Sequence, residues 1–275
     1  MALVSTQKLL SEAQQGKYAI GAFNFENMEM AQAIISAANA TGSPLILQTT
    51  PSTVRYGTLP MFAAMIRELA KDCRTEIALH LDHGESFEMA QDAIRAGYNS
   101  VMIDGSKLCF DENIALTQRV KAMAGTIPVE AELGAVGGKE DTLDGGAGNY
   151  TNPAEAAEFV KRTGIQFLAV AIGTAHGIYQ GTPKLDIDRL SQIRERVTIP
   201  LVLHGTSGVA EEQVRRCIEA GICKVNYATE LRIAYTQGVR DILHNGTVYD
   251  PKAYGKAGFS AVQKLVEHHV QMLRG

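Results

Sequence analysis

Three histidines in the chain, His83, His176 and His204, are each followed directly by glycine. Three imidazoles around an open position are a recurrent catalytic zinc arrangement. A glycine after each lets backbone or substrate approach such a centre closely. One histidine of this kind would read as a satisfied polar residue at a strand end; three with the same pattern point to a metal. Beside the first stands Asp82, in His80-Leu81-Asp82-His83-Gly84. This carboxylate can reach a substrate held at the metal and serve as its general acid/base. Its competing role is to support a ligating histidine. Asp104 and Glu132 are two further carboxylates that could touch the metal or orient its ligands. His80 is expected inside the fold or as a hydrogen-bonded support for the site. His244, His268 and His269 are expected on the surface of late helices.

Two further segments belong to the same chemistry. Residues 134–148 (GAVGGKEDTLDGGAG) hold six glycines around a charged centre that contains Glu140. Such a segment can close over a substrate as a lid and deliver Glu140 as a second acid/base; it can equally be a solvated surface loop. Residues 205–208 (Gly-Thr-Ser-Gly) and then Asn226 and Thr229 offer backbone N–H groups and hydroxyls of the kind that cradle a phosphate. The same four residues would also make an ordinary loop. Lys184 could add a positive charge.

These residues need strands that end near one another. Eight short apolar runs recur: 18–23, 44–49, 76–81, 99–104, 128–133, 167–172, 200–204 and 222–227. Nearly continuous hydrophobicity suits strands buried on both faces of a parallel sheet. Amphipathic segments separate them, at 28–38, 59–73, 85–96, 112–124, 153–163, 187–196 and 210–220, with 229–244 and 254–273 after the last. Ser5 and Asn152 are expected N-caps, the latter followed by Pro153, and Gly97, Gly164 and Gly221 stand where helices should stop. Eight β-α units in 275 residues predict a (β/α)8 TIM barrel with additional C-terminal helices, as one domain over residues 1–275. A doubly wound open sheet is the competing fold. In such barrels the active site lies at the C-terminal ends of the strands, which is where almost every unusual polar residue falls.

The hydrophobic fraction of 45% and charged fraction of 20% suit a protein with a substantial core. A net charge of -4 and no basic stripe argue against nucleic acid as a partner. No apolar run approaches the roughly eighteen residues of a membrane helix, and the N-terminus lacks the features of a signal peptide. The four cysteines, Cys73, Cys109, Cys217 and Cys223, have no CxxC spacing and read as buried thiols of a cytoplasmic protein.

Five segments occur in one order: HLDHG (80–84), VEAELG (129–134), GTAHG (173–177), LVLHG (201–205) and KVN-x-AT (224–229). Together they resemble the class II, zinc-dependent ketose-bisphosphate aldolases, over about residues 5–270. The stretch AVAIGTAHG (169–177) is more similar to the tagatose-bisphosphate than to the fructose-bisphosphate enzymes. The resemblance implies zinc held by His83, His176 and His204, with Glu132 at an alternate metal position. It implies Asp82 acting on the C4 hydroxyl and Glu140 as the mobile acid/base. Gly177, Lys184, Gly205, Ser207, Asn226 and Thr229 would hold the dihydroxyacetone phosphate half, beside a monovalent cation (Na+ or K+). Thr206 joins them from the loop reading, and Asn24, Gln48, Thr49 and Thr50 are expected to help choose between C4 epimers. The resemblance also implies a homodimer or homotetramer.

Two positions depart from the family pattern. Tyr227 replaces a small aliphatic residue, and Lys252, in Asp250-Pro251-Lys252, replaces an arginine that grips the distal phosphate. Lysine lacks the bidentate fork, so weaker distal binding is expected. Three rival readings stand beside this one. Lys224, in an apolar run, could form a Schiff base; a barrel zinc hydrolase or a non-catalytic sugar-phosphate sensor could use the same ligands.

Overall fold

The computed structural model describes residues 3–140, 143–144, 149–179, 181–244 and 246–274. Eight strands form a closed barrel: β1 (Ile20–Asn24), β2 (Leu45–Thr49), β3 (Ile77–Gly84), β4 (Ser100–Ile103), β5 (Val129–Leu133), β8 (Phe167–Val170), β10 (Leu201–Leu203) and β11 (Ile222–Tyr227). Every neighbouring pair is parallel, and β11 closes onto β1. Every residue of these strands is buried, as both-face coverage requires.

Helices follow the strands: α2 (Met28–Thr41), α3 (Pro51–Gly57), α4 (Leu59–Leu69), α5 (Phe87–Ala96), α6 (Phe110–Ala124), α7 (Pro153–Thr163), α8 (Ile187–Arg196), α9 (Glu211–Glu219), α10 (Thr229–Leu243) and α11 (Pro251–Arg274). Caps fix several ends as expected. Asn152 Oδ1 accepts the N–H groups of Ala154 and Glu155 ahead of Pro153, and Gly97 and Gly164 close α5 and α7 in the left-handed region. The element α3 was not foreseen, because its seven residues carry no helical period of their own.

Alternation along each strand divides the core into two. Leu45, Leu47, Val101, Ile103, Leu201 and Leu203 face outward to the helices, in the larger cluster. Ala22, Ile46, Ala78, Met102, Ala169 and Val202 face the barrel axis, in the smaller one. The helix α1 (Thr6–Gly16), capped by Ser5, inserts Leu9, Leu10 and Ala13 into the axial cluster. Leu9 and Leu10 are fully buried there, each stabilising the closed end by about 2 kcal/mol. That end is therefore plugged with hydrocarbon, and polar axial residues collect toward the other.

One expectation about the surface is corrected. His268 is exposed and pairs with Glu211, and His244 is exposed, but His269 is buried. Its ring stacks on Tyr227 at 4.0 Å, and Tyr227 stacks in turn on Phe23 at 5.6 Å. The large ring at position 227 fills space between β11, β1 and α11, turned away from the barrel axis. His269 is the flat partner that this ring demands.

Candidate active site

The strand β3 carries an irregularity that builds the site. Strict alternation from His80 would send Asp82 inward and His83 outward. The pairing of β3 with β4 shifts between Leu81 and Gly84, so that Asp82 and His83 oppose the single residue Met102. His83 takes φ of 48°, a left-handed conformation rare for a residue with a side chain. The bulge re-aims His83, and two consecutive functional groups reach the same rim. Gly84 is required beside it, because a Cβ there would stand 2.4 Å from the carbonyl oxygen of Met102.

The three histidines converge as expected. Ligand atoms of His83, His176 and His204 lie within 4.8 Å of one another, and the same holds for His83, Asp104 and Glu132. His83 Nδ1 is 2.8 Å from Asp104 Oδ2, which leaves Nε2 to face the centre. His204 Nε2 is 2.9 Å from Glu130 Oε1, and its Nδ1 stands 2.8 Å from His83 Nε2. Two carboxylates thus each hold one imidazole nitrogen and turn the other inward, the usual support of metal-ligating histidines. Burial pushes the His176 and His204 imidazoles well below their ordinary range, which favours the neutral rings that ligate a metal.

Glu132 tests the fit from a second direction. Its Oε2 is buried without a hydrogen-bond partner, 4.0 Å from His83 Nδ1 and 3.8 Å from His204 Nδ1. Burial, then the charge of Asp104, pushes the carboxyl up to about 8. Burial alone would raise Asp104 too, but its hydrogen bonds from His83 and Ser106 hold it below the usual carboxylate range. A cluster of buried nitrogen donors with an unsatisfied carboxylate oxygen is the donor set of zinc. Among the described residues no cysteine belongs to either group.

Asp82 is buried at the centre of an amide cage. Asn24 Nδ2 donates to its Oδ2 at 3.2 Å, Gln48 Nε2 to the same oxygen at 3.1 Å, and Asn226 Nδ2 to Oδ1 at 3.0 Å. These three donors fix the plane of the carboxylate. Asn24 and Gln48 therefore reach the site, on β1 and β2. Thr49 does not. Its hydroxyl pairs with Tyr98 at 2.8 Å on the outer face of β2, because it follows the inward-facing Gln48. Thr50 bonds Thr53, in the first turn of α3.

Next to the histidines, Gly177, Gly205, Thr206, Ser207, Asn226 and Thr229 line one small pocket together with His176. The N-terminus of α10 opens onto it, and the Glu230 N–H donates to Ser207 Oγ at 3.3 Å. Helix N-termini and glycine-exposed N–H groups attract anions. An open cleft of about 690 Å³ adjoins, lined by Gly177, Tyr179, Pro183, Ser207, Thr229 and Ile233 among others. Lys184 is exposed and lines neither space; Lys252 is exposed too, bonded to Asp250 at the start of α11.

Gly205 has φ of 65°, and a Cβ on it would lie 2.7 Å from the backbone carbon of Ala175. Gly205→Ala is expected to cost roughly 1–3 kcal/mol from backbone strain and to weaken metal binding. Thermal unfolding and chelator competition on the variant check both effects.

The expected lid is partly described. Strand β6 (Gly137–Glu140) pairs antiparallel with β7 (Leu143–Asp144) and parallel with β9 (Ala175–His176). The segment is thus a hairpin laid along the backbone that carries His176. Residues 141–142 and 145–148 of the expected lid lie outside the described residues.

Beneath the rim, His80 is the buried support the sequence leads one to expect, while the ion pair beside it carries no such signal in its residue types. Lys224 Nζ donates to Glu130 Oε2 at 2.8 Å, both side chains being almost fully buried, and Glu130 in turn holds His204. His80 Nε2 lies 3.6 Å from Glu130 Oε2, and its Nδ1 is 2.7 Å from Ser100 Oγ. The signal for Glu130 lay in the alternation of VEAEL, which sends Glu130 and Glu132 the same way. Lys224 Nζ is engaged by Glu130 beneath the rim and lines neither space beside the histidines, so the Schiff-base rival gains no support from the geometry.

The family model described as fructose-bisphosphate aldolase class-II matches residues 4–275. The chain is similar to a fructose-bisphosphate aldolase of Geobacillus stearothermophilus, at 45% identity over 272 residues, covering 97% of this chain and 95% of that one. It resembles the crystal structure of the YdjI aldolase from Escherichia coli K12, with TM-score 0.88 and 33% identity over 98% of this chain and 97% of that one. A putative fructose-1,6-bisphosphate aldolase from Coccidioides immitis matches with TM-score 0.90 and 33% identity, over 97% and 94% of the two chains.

Proposed function

Because the chain belongs to the class II fructose-bisphosphate aldolase family, we propose that it reversibly cleaves a ketose 1,6-bisphosphate to dihydroxyacetone phosphate and glyceraldehyde 3-phosphate. The observation that carries this reading is the junction on one rim of Asp82, the three histidines and the small pocket lined by Gly177, Gly205, Ser207 and Thr229. His83 Nε2, His204 Nδ1 and a ring nitrogen of His176 would hold zinc, with Glu132 as an alternate ligand and Asp104 orienting His83. Zinc there would supply Lewis-acid polarisation of the ketose carbonyl and so ease negative charge on the carbon beside it.

The protein's own groups do the rest. Gly177, Gly205, Thr206, Ser207, Asn226 and Thr229 hold the dihydroxyacetone phosphate end, so the C3–C4 bond lies over Asp82. Asp82 accepts the proton of the C4 hydroxyl. The C3–C4 bond breaks, its electron pair stays on C3, and C4 leaves as the aldehyde carbon. Glu140, carried on the hairpin strand β6, returns a proton to C3. A sodium or potassium ion accompanies the phosphate, and Lys184, which lines neither space, would add its positive charge only from outside the pocket. Lys252 meets the distal phosphate as a point charge, acting within a homodimer or homotetramer in the cytoplasm.

Tagatose 1,6-bisphosphate is the favoured epimer on the strength of the 169–177 stretch, and the relative at 45% identity favours fructose 1,6-bisphosphate as the second reading. The amide groups of Asn24 and Gln48 flank the group that meets the C4 hydroxyl, so they are placed to sense its stereochemistry. Cleavage rates on both bisphosphates, before and after EDTA and after zinc is returned, test the proposal. Loss on chelation, recovery with zinc and a higher rate on tagatose bisphosphate are expected. Activity that survives EDTA would overturn the metal reading. Zinc binding without turnover on either sugar would favour the hydrolase or sensor.

A further inference from the structure

The loops that bear His176 and His204 come from different strands, β9 and β10, and meet backbone to backbone where Gly205 packs on Ala175. A contact of that kind holds no fixed distance unless something spans it. Tyr179 spans it. Its hydroxyl oxygen accepts the Ala175 N–H at 2.7 Å and donates to the Gly205 carbonyl at 2.7 Å. Each bond falls on the residue next to a proposed ligand, before His176 on one side and after His204 on the other.

We propose that Tyr179 is a positioning residue whose hydroxyl clasps the two loops and so sets the separation of the His176 and His204 imidazoles. Their ring centroids stand 6.1 Å apart. The clasp also steadies the hairpin, since Ala175 and His176 pair with Gly137 and Gly138. Phenylalanine would keep the ring and its packing but could neither accept nor donate. The two backbone groups would then part, and the histidine spacing would be set by the metal alone. The inference rests on the reading of His176 and His204 as metal ligands.

The test is zinc affinity, by competition with a chromophoric chelator, for the wild type, Tyr179→Phe, His204→Ala and Tyr98→Phe. Tyr98 gives up a buried hydroxyl bonded to Thr49, away from the rim, and is the control for losing a tyrosine hydroxyl. Tyr179→Phe is expected to lower zinc affinity by about 10- to 100-fold, while Tyr98→Phe leaves it unchanged. Wild-type affinity in Tyr179→Phe with a large loss in His204→Ala would overturn the clasp and spare the metal site. Wild-type affinity in His204→Ala would overturn the reading on which the clasp rests. Amide exchange at Ala175 in the metal-free wild type needs no variant: slow exchange is expected, and exchange at the rate of an open loop would overturn the proposal.

Discussion

Asp82→Ala is expected to lower turnover by about 10²- to 10⁴-fold, the usual contribution of a general acid/base, with zinc content unchanged. The two effects separate because of where the carboxylate points. Its oxygens are engaged by Asn24, Gln48 and Asn226, and none of these contacts is to a nitrogen of the three histidines. His83 takes its orientation from Asp104 and His204 from Glu130. Deleting Asp82 therefore removes the proton acceptor and leaves both supports standing. The measurement is kcat set beside zinc per chain, from the same preparation. A loss of zinc in proportion to activity would make Asp82 a support for the metal ligands and sink its acid/base role. Asp82→Asn sharpens the comparison, since it keeps the shape but places an amide among amide donors.

The barrel was legible because strands buried on both faces advertise themselves as apolar runs, and Ile222–Tyr227 was bounded correctly from that signal alone. Asp82, His83 and His204 were legible because they end or directly follow such runs, and His176 because it repeats the His-Gly pair just beyond one. What the sequence hid has a common cause, in that it depends on which way a residue points. A two-residue period places Asp82 and His83 on opposite faces, and only the bulge with its left-handed His83 brings them together. Thr49 was expected at the site and lies on the outer face, one residue out of phase with Gln48. His269 looked like half of a solvated pair because its partner, Tyr227, is more than forty residues away in sequence. Tyr179 carries no motif of its own, and its role lies in two backbone groups that no residue type announces.

The second large effect is expected from Lys224→Met. The ammonium and the Glu130 carboxylate are 2.8 Å apart with side chains 1% and 0% exposed, so neither can recruit water if the other is lost. Breaking such a pair from one side costs about 3–5 kcal/mol, on the order of 10 °C in Tm for a chain of this size. Replacing both partners is different, because it strands no charge. Lys224→Met combined with Glu130→Leu is expected to recover most of that stability. It should not recover the metal. Glu130 Oε1 is what holds His204 Nε2, and with leucine there the ring is free to turn its nitrogens away from His83. Zinc affinity is expected to stay about 10- to 100-fold below wild type in the double variant. Thermal unfolding of the metal-free proteins and chelator competition on the refolded ones read the two quantities apart. Stability and zinc affinity returning together would show that the pair acts only as a core contact. Stability returning alone would place Glu130 in the service of His204, with Lys224 as the partner that its buried carboxylate needs where no water reaches it.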